Sequence, residues 1–270
     1  MIEELFSIEG TAQGTSRIHR CDARVKILIA LVAIVTAVAF PYTTAVYRFG
    51  IVMMILFAVL WVFSDLSPLV YLKRFLLILP FGFFLIFFQI FFQNPHYDEF
   101  HALFTLPLGI AVYAESVEFA SILAVKYLVC ISFIILLSST TTMQAMLEGA
   151  GRLGLPPEFT LVIGMMVRYL FVFGRMYLRV QAALSTRCFD SFDRSLPHRY
   201  RLRMLAYTIG TIFLRSFEQG ERTYTSMLCR GYGKDSHLFV RKKPLTYSER
   251  AFLTISLISI PVIALAAWLL

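Results

Sequence analysis

The sequence predicts an all-α, polytopic membrane protein, with about five transmembrane helices and a cytoplasmic set of long helices. Three observations carry this. The 270 residues are 58% hydrophobic and only 16% charged, against an apolar share of ~45–50% in soluble domains, and mean hydropathy is +0.72. Five stretches are apolar over roughly 20 residues, the length a helix needs to span a bilayer: 25–41, 45–63, 75–93, 117–138 and 250–270. Finally, 16 of the 25 Lys and Arg residues fall between 139 and 249, where there are only eight acids. The net charge of +8 is thereby explained by basic loops on the cytoplasmic side. It calls for a lipid bilayer as partner and no nucleic acid.

Residues 1–24 form a polar cytoplasmic N-terminal segment. It contains Glu3, Glu4 and Glu9 and lacks the apolar core of a cleavable signal peptide. Residues 25–138 hold transmembrane helices 1–4. Arg17, Arg20, Arg24 and Lys26 precede the first span, and Lys73 and Arg74 lie between the second and third. The loop at 94–116 has Asp98, Glu99 and Glu115 and no Lys or Arg; the other outer loop has only Arg48. The positive-inside rule then puts the N-terminus inside and the C-terminus outside. The third span is dense in phenylalanine, from Phe81 to Phe92, which suits lipid contact or helix packing. Pro80 and Pro261 are expected to kink their helices. Lys126 falls inside the fourth span. Such a cation is either functional or paired and snorkelling. Cys21, Cys130, Cys188 and Cys229 form no CxxC pair and are expected as free thiols.

Residues 139–249 form a cytoplasmic region, and 250–270 a last transmembrane helix. Three helices are expected in the region: one from near Thr142 to Gly154, before Pro156-Pro157; one from about Glu158 to Arg187; one from about Arg199 to Arg230, stopped by Gly231 and Gly233. The stretch 159–178 is apolar, but Arg168, Arg175 and Arg179 would each be costly at membrane depth. An amphipathic helix lying along the membrane fits it better.

Two segments of this region match. Each reads Arg, seven residues, Arg, a small residue, an aromatic: Arg179 to Arg187-Cys188-Phe189, and Arg222 to Arg230-Gly231-Tyr232. Both second arginines fall at expected helix C-termini, where the dipole favours a cation, and a guanidinium grips a carboxylate with two parallel bonds. Small neighbours (Ala182, Ala183, Ser185 and Thr186; Thr225, Ser226 and Cys229) allow another surface to come close. Either arginine alone reads better as a plain helix cap or a lipid-phosphate contact; the pair reads as docking to two copies of an acidic, apolar-rimmed groove. Arg215, Glu218 and Arg222, spaced i, i+3, i+7, read as a salt ladder.

The chemistry-bearing patterns are sparse. There is no GxxxxGK[ST] loop for a nucleotide. His19-x-Cys21-Asp22 and His96-x-Asp98-Glu99-x-His101 are weak metal-ligand spacings, and no metal site is assigned. An intramembrane enzyme would need paired acids or a nucleophile with its base in the spans, and Lys126 has no acidic neighbour in its span. A self-sufficient ion carrier would show two symmetric halves with broken helices. The internal repeat here lies in the basic region instead.

The chain resembles the transmembrane T component of energy-coupling factor transporters, and within it the CbiQ family of cobalt and nickel uptake. Ile18-His19-Arg20-Cys21-Asp22-Ala23-Arg24-Val25-Lys26 is similar to that family's Leu-His-x-x-Asp-Pro-Arg-x-Lys entry to the first span, with Ala23 in place of Pro. Thr140 to Thr142, Arg152 to Pro156, Val167-Arg168-Tyr169-Leu170 and Leu214-Arg215-Ser216 with Arg222 resemble further stretches. The family's two Ala-Arg-Gly-type motifs correspond to Thr186-Arg187-Cys188 and Cys229-Arg230-Gly231. The first departs most, with Cys where the family has Gly. The resemblance implies two long, crossing coupling helices, each docked through Arg187 or Arg230 to one of two cytoplasmic ATP-binding-cassette ATPases, with Arg168, Arg179, Arg215, Glu218 and Arg222 in support. It also implies a substrate-binding membrane subunit, and in some systems a small auxiliary membrane subunit. The chain itself would be a non-catalytic permease subunit without a cofactor, in a bacterial or archaeal plasma membrane. A T component for a vitamin or other micronutrient is the alternative cargo.

Overall fold

The fold is described from a computed structural model over residues 14, 16–90, 102–105, 111–190, 196–233 and 244–269. The weak cluster His96, Asp98, Glu99 and His101 lies outside these residues, as do Phe91 and Phe92. In chain order the elements are α1 (Arg17–Arg20), α2 (Ala23–Ala39), α3 (Ala45–Phe63), α4 (Pro68–Gln89), β1 (Ala102–Thr105), β2 (Ala111–Tyr113), α5 (Ala114–Thr140), α6 (Met143–Leu153), α7 (Pro157–Ser185), α8 (His198–Cys229) and α9 (Tyr247–Leu269). The protein is an all-α, multi-pass membrane protein. The sequence did not signal the antiparallel pairing of β1 with β2 between α4 and α5. The chain divides into two units. One runs to Leu153 and resumes at Lys243; the other is Gly154–Lys242.

The first unit is a bundle. α3, α4, α5 and α9 are long enough to span a membrane, with mean hydropathies of 2.0 to 2.4. α2 has 17 residues, at the short end of the spanning range of about 17–25; it stops two residues before the expected end, where Phe40 turns extended ahead of Pro41. α4 starts seven residues before the expected 75, with Pro68 in its first turn. Lys73 and Arg74 are therefore helical rather than loop residues, and Arg74 Nη1 donates to Ser139 Oγ of α5 at 2.7 Å. α7 also meets length and composition requirements for a span, at mean hydropathy 1.5, although the sequence favours placing it along the membrane. Its apolar run makes it eligible, although Arg168 falls within its N-terminal half and Arg175 and Arg179 within its C-terminal half.

Side chains at four-residue intervals build the core. Val25, Ile29, Ala33 and Ala37 of α2 meet Phe49, Met53 and Phe57 of α3 and Ile122, Val129 and Phe133 of α5. Alanines on α2 let its neighbours approach closely, as small residues do between membrane helices. Phe40 stacks on Phe49 at 4.7 Å between centroids, and Phe57 gathers Trp61, Tyr71 and Phe133 around it. α4 is different: Phe81, Phe83 and Phe84 are exposed, a surface suited to lipid. It comes closest to α5 at Gly82, where a Cβ would sit 1.8 Å from the Tyr127 ring.

α2 and α5 run antiparallel and are tied at both ends by lysines. Lys26, at the start of α2, donates to Thr140 O at the end of α5 (2.8 Å) and to His19 O (3.2 Å). Lys126 of α5 donates to Val38 O (3.3 Å) and Phe40 O at the end of α2, and its Nζ lies 3.9 Å from the centre of the Tyr42 ring. Both lysines are buried. Each satisfies carbonyls that a helix C-terminus leaves unpaired and meets the negative end of its dipole. Lys126 is thus a paired, structural cation level with the end of α2.

A second fastening sits at the start of α2. Asp22 caps the helix by accepting from Arg24 N–H and also pairs with Arg24 Nη2 (3.2 Å) and Arg152 Nη1 of α6 (3.4 Å). Its own N–H donates to Glu249 Oε1 of α9, while Thr246 N–H donates to Glu249 Oε2. α6 lies tight on α2, for a Cβ on Gly149 would be 3.1 Å from Ala23 Cβ. Burial alone raises the Asp22 pKa, but hydrogen bonds from Arg24 and the charges of Arg24 and Arg152 outweigh it, so the carboxyl sits below its ordinary value. Burial pushes the neighbouring Cys21 thiol up, which favours its protonated form. All four cysteines are free.

Two outcomes are expected. Lys126→Met leaves the Val38 and Phe40 carbonyls unpaired and is expected to cost about 1–3 kcal/mol, read as a lower Tm in detergent. Lys26→Met should act additively with it, because the sites are far apart. Separately, Asp22 has a depressed native pKa, so its stabilisation is full above the ordinary carboxylate range and is lost as pH falls through the native value. A stability–pH curve should drop on the acid side for wild type and be flatter for Asp22→Asn; parallel curves would remove Asp22 as the cause.

Candidate functional site

The second unit presents the repeated arginines. α7 begins with Pro157 and has Glu158 in its first turn, which suits the positive end of the dipole. α8 follows Pro197. The two helices run antiparallel. Tyr169 of α7 hydrogen-bonds Thr223 of α8 through their hydroxyls; since Thr223 Oγ1 donates to Gln219 O (2.7 Å), the tyrosine is the donor. At the other end, Phe189 meets Tyr200 edge-to-face at 6.1 Å.

Both helices close in the same geometry. After α7, Arg187 N–H donates to Leu184 O (3.0 Å), Cys188 N–H to Ser185 O (3.0 Å), and Phe189 N–H to Leu184 O (3.1 Å). After α8, Arg230 N–H donates to Met227 O (3.1 Å), Gly231 N–H to Leu228 O (2.9 Å), and Tyr232 N–H to Met227 O (3.0 Å). Every bond of one set maps onto the other. Cys188 and Gly231 have φ of 56° and 82°. This is the Schellman arrangement, with a left-handed residue after the helix and 6→1 and 5→2 bonds. Each arginine stands immediately before the left-handed residue, and both are exposed. Cys188 takes the conformation despite its Cβ, so the Gly-to-Cys departure leaves the cap intact. Thr186 Oγ1 turns back to Ala183 O (2.8 Å) and Thr225 Oγ1 to Glu221 O (2.9 Å), which leaves smooth, small surfaces beside the tips.

The other sequence-singled residues divide. Arg222 pairs with Glu218 at 3.7 Å, both well exposed, a contact of little energetic weight. Arg215 is not part of that pair. It lines a cleft of about 340 Å³ between α7 and α8 together with Arg179 and Arg187. Arg168 is exposed on α7 beside Tyr169. Arg187 shares the cleft with Met204 near the start of α8, whereas Arg230 follows its end. At 1.5 Å per residue that separates the tips by roughly 40 Å along α8. Sequence reasoning missed the Tyr169–Thr223 pin and the burial of Phe189; the aromatic closing each repeat was the available signal for the latter. In the bundle, the Asp22 carboxylate of His19-x-Cys21-Asp22 is committed to two arginines.

Residues 14–239 match the sequence model of the CbiQ family, described as cobalt transport protein. The chain belongs to the CbiQ family. It is also similar to an uncharacterized protein of Methanocaldococcus jannaschii, 24% identical over 260 residues, which cover 95% of this chain and 85% of that protein. The CbiQ assignment makes this multi-pass chain a component of membrane transport. The match includes α2 to α8 and both arginine tips.

A left-handed non-glycine residue costs about 1–2 kcal/mol, and a glycine there gives back about 0.5–1 kcal/mol in chain entropy. Cys188→Gly is therefore expected to stabilise the first tip by up to about 1 kcal/mol. Gly231→Ala should destabilise the second by a similar amount. Hydrogen exchange at the Phe189 and Tyr232 amides checks both: protection rises in the first variant and falls in the second.

Proposed function

We propose that this chain is the energy-coupling T component of an ATP-driven uptake transporter of the energy-coupling factor type, carrying cobalt or nickel ions. The observation that supports it is the pair of superposable caps, each presenting one arginine at the end of a long helix. Two like grips roughly 40 Å apart suit two copies of one partner better than a single groove. In this reading Thr186-Arg187-Cys188 and Cys229-Arg230-Gly231 each plug an acidic groove on one of two cytoplasmic ATP-binding-cassette ATPases. The guanidinium binds a carboxylate bidentately, and the small neighbours let the groove rim close on the helix.

The Tyr169–Thr223 pin holds α7 and α8 at one point. When ATP draws the two ATPases together, the tips move and the helices change their crossing angle about that pin. Arg168, Arg179, Arg215, Glu218 and Arg222 support these helices. The motion passes to a substrate-binding membrane subunit, with or without a small auxiliary one, and the cargo is chosen there. A vitamin or other micronutrient in place of a metal ion would leave this chain's role unchanged. The ATPases supply hydrolysis, and this chain carries no cofactor of its own. The bundle lies in the plasma membrane with its N-terminus inside, and α7 lies along the cytoplasmic face, since an arginine at the bilayer centre costs about 3 kcal/mol.

Detergent co-purification of the tagged chain with its ATPases tests this. Wild type should retain them, Arg187→Glu and Arg230→Glu should each weaken capture, and the double variant should lose it. Full retention by the double variant would make the arginines ordinary caps. No capture by wild type would sink the coupling role itself.

A further inference from the structure

The chain leaves the bundle after Leu153 and resumes it at Lys243. Both passages are fastened, and to one residue. On the way out, Arg152, the last residue but one before the break, pairs with Asp22 Oδ2 at 3.4 Å. On the way back, Glu249 accepts from Asp22 N–H at 3.0 Å through Oε1 and from Thr246 N–H at 2.9 Å through Oε2. The first turn of α9 is thereby held to the same point. The side chains of Asp22 and Arg152 are 4% and 15% exposed, so water screens this pair far less than a surface pair. Arg24 fixes the carboxylate to α2, its N–H and Nε donating to Oδ1 at 3.1 and 3.3 Å. Four residues on, Lys26 crosses to Thr140 O of α5. α2 is also the helix on which α6 packs, with Gly149 close against Ala23.

We propose that Asp22 is the point at which motion of the second unit enters the bundle, with Arg152 and Glu249 as the positioning residues that deliver it. A pull on α7 travels back along the chain to Arg152, and a pull on α8 to the start of α9. Both lengths of chain end on Asp22. Salt-bridge and hydrogen-bond networks of this kind carry displacement between distant sites. From Asp22 the displacement passes along α2 to Lys26, and through Lys26 to α5. Stability alone asks for no such convergence, since one fastening anywhere along α6 and another along α9 would serve it. The inference deepens the coupling role proposed above and rests on it.

The test uses the full chain captured with its ATPases in detergent. Hydrogen exchange over residues 23–30 of α2 is followed with and without a non-hydrolysable ATP analogue. In wild type the analogue should change exchange there and over α7. Arg152→Gln and Glu249→Gln should each weaken the change over 23–30, and the two together should abolish it while the change over α7 persists. A fastening that is merely structural gives another result: exchange rises equally with and without the analogue, and the difference between them survives. That outcome overturns the proposal, as does a wild type with no change over 23–30. A rescue adds a second arm. A Cβ on Gly149 would lie 3.1 Å from Ala23 Cβ, a small adjustment from the about 3.5–4.5 Å of a disulfide. Ala23→Cys with Gly149→Cys, placed in the double variant with Cys21→Ser, should restore the change when oxidised and lose it on reduction. A formed disulfide that restores nothing also overturns the proposal. Loss of the ATPases from wild type sinks the coupling role and this inference with it; the other outcomes, with ATPases retained, sink this inference alone.

Discussion

The bundle depends on an exchange of lysines between two antiparallel helices. A buried ammonium in a membrane protein is costly unless something negative meets it. Here it is the carbonyl end of the partner helix, twice over: Lys26 at the end of α5 and Lys126 at the end of α2. Neither needs a carboxylate for this. The same contacts satisfy carbonyls that a helix end would otherwise leave unpaired, so two liabilities cancel. They also set the register of α2 against α5, the pair on which α3, α4, α6 and α9 pack. The short α2 ends where Lys126 can reach its carbonyls.

The Asp22 cluster works on a different principle. It is ionic and joins segments remote in sequence, drawing α6 and α9 to the start of α2 through Arg152 and Glu249. The opening run from Ile18 to Lys26 thereby acquires a physical meaning. His19 offers a carbonyl to Lys26, Asp22 caps and gathers arginines, and Lys26 crosses to α5. α6, although it lies in the basic half of the sequence, is fastened to the bundle by Arg152 and by the close approach at Gly149.

The helices were largely legible because hydropathy and Pro/Gly punctuation act locally. α3 falls on its expected bounds, and α7 and α8 within about two residues of theirs. The misplaced start of α4 has a simple cause: Lys73 and Arg74 read as loop charges, but Arg74 finds Ser139 across the helix pair. The role of Lys126 was not legible, since its partners are carbonyls 86 and 88 residues away, and backbone carbonyls leave no mark in a sequence. The repeated arginine pattern was visible as spelling. Its shared geometry was visible only for the second copy, because Gly announces a left-handed turn and Cys188 does not. Arg215 was assigned to a ladder by its spacing on one helix; the cleft it lines needs a second helix, which spacing cannot supply.

Gly154 stands just after α6 with φ of 121°, and a Cβ built there would meet nothing within 4 Å. Glycine is required by backbone angle alone and not by crowding. An alanine at 154 would therefore ask a clean question of the chain, twisting the peptide path between a fastened helix and a new one while displacing no neighbour. It is a torsional handle. Most glycines in this bundle, such as Gly82 and Gly149, are wedged against a neighbour and lack that property.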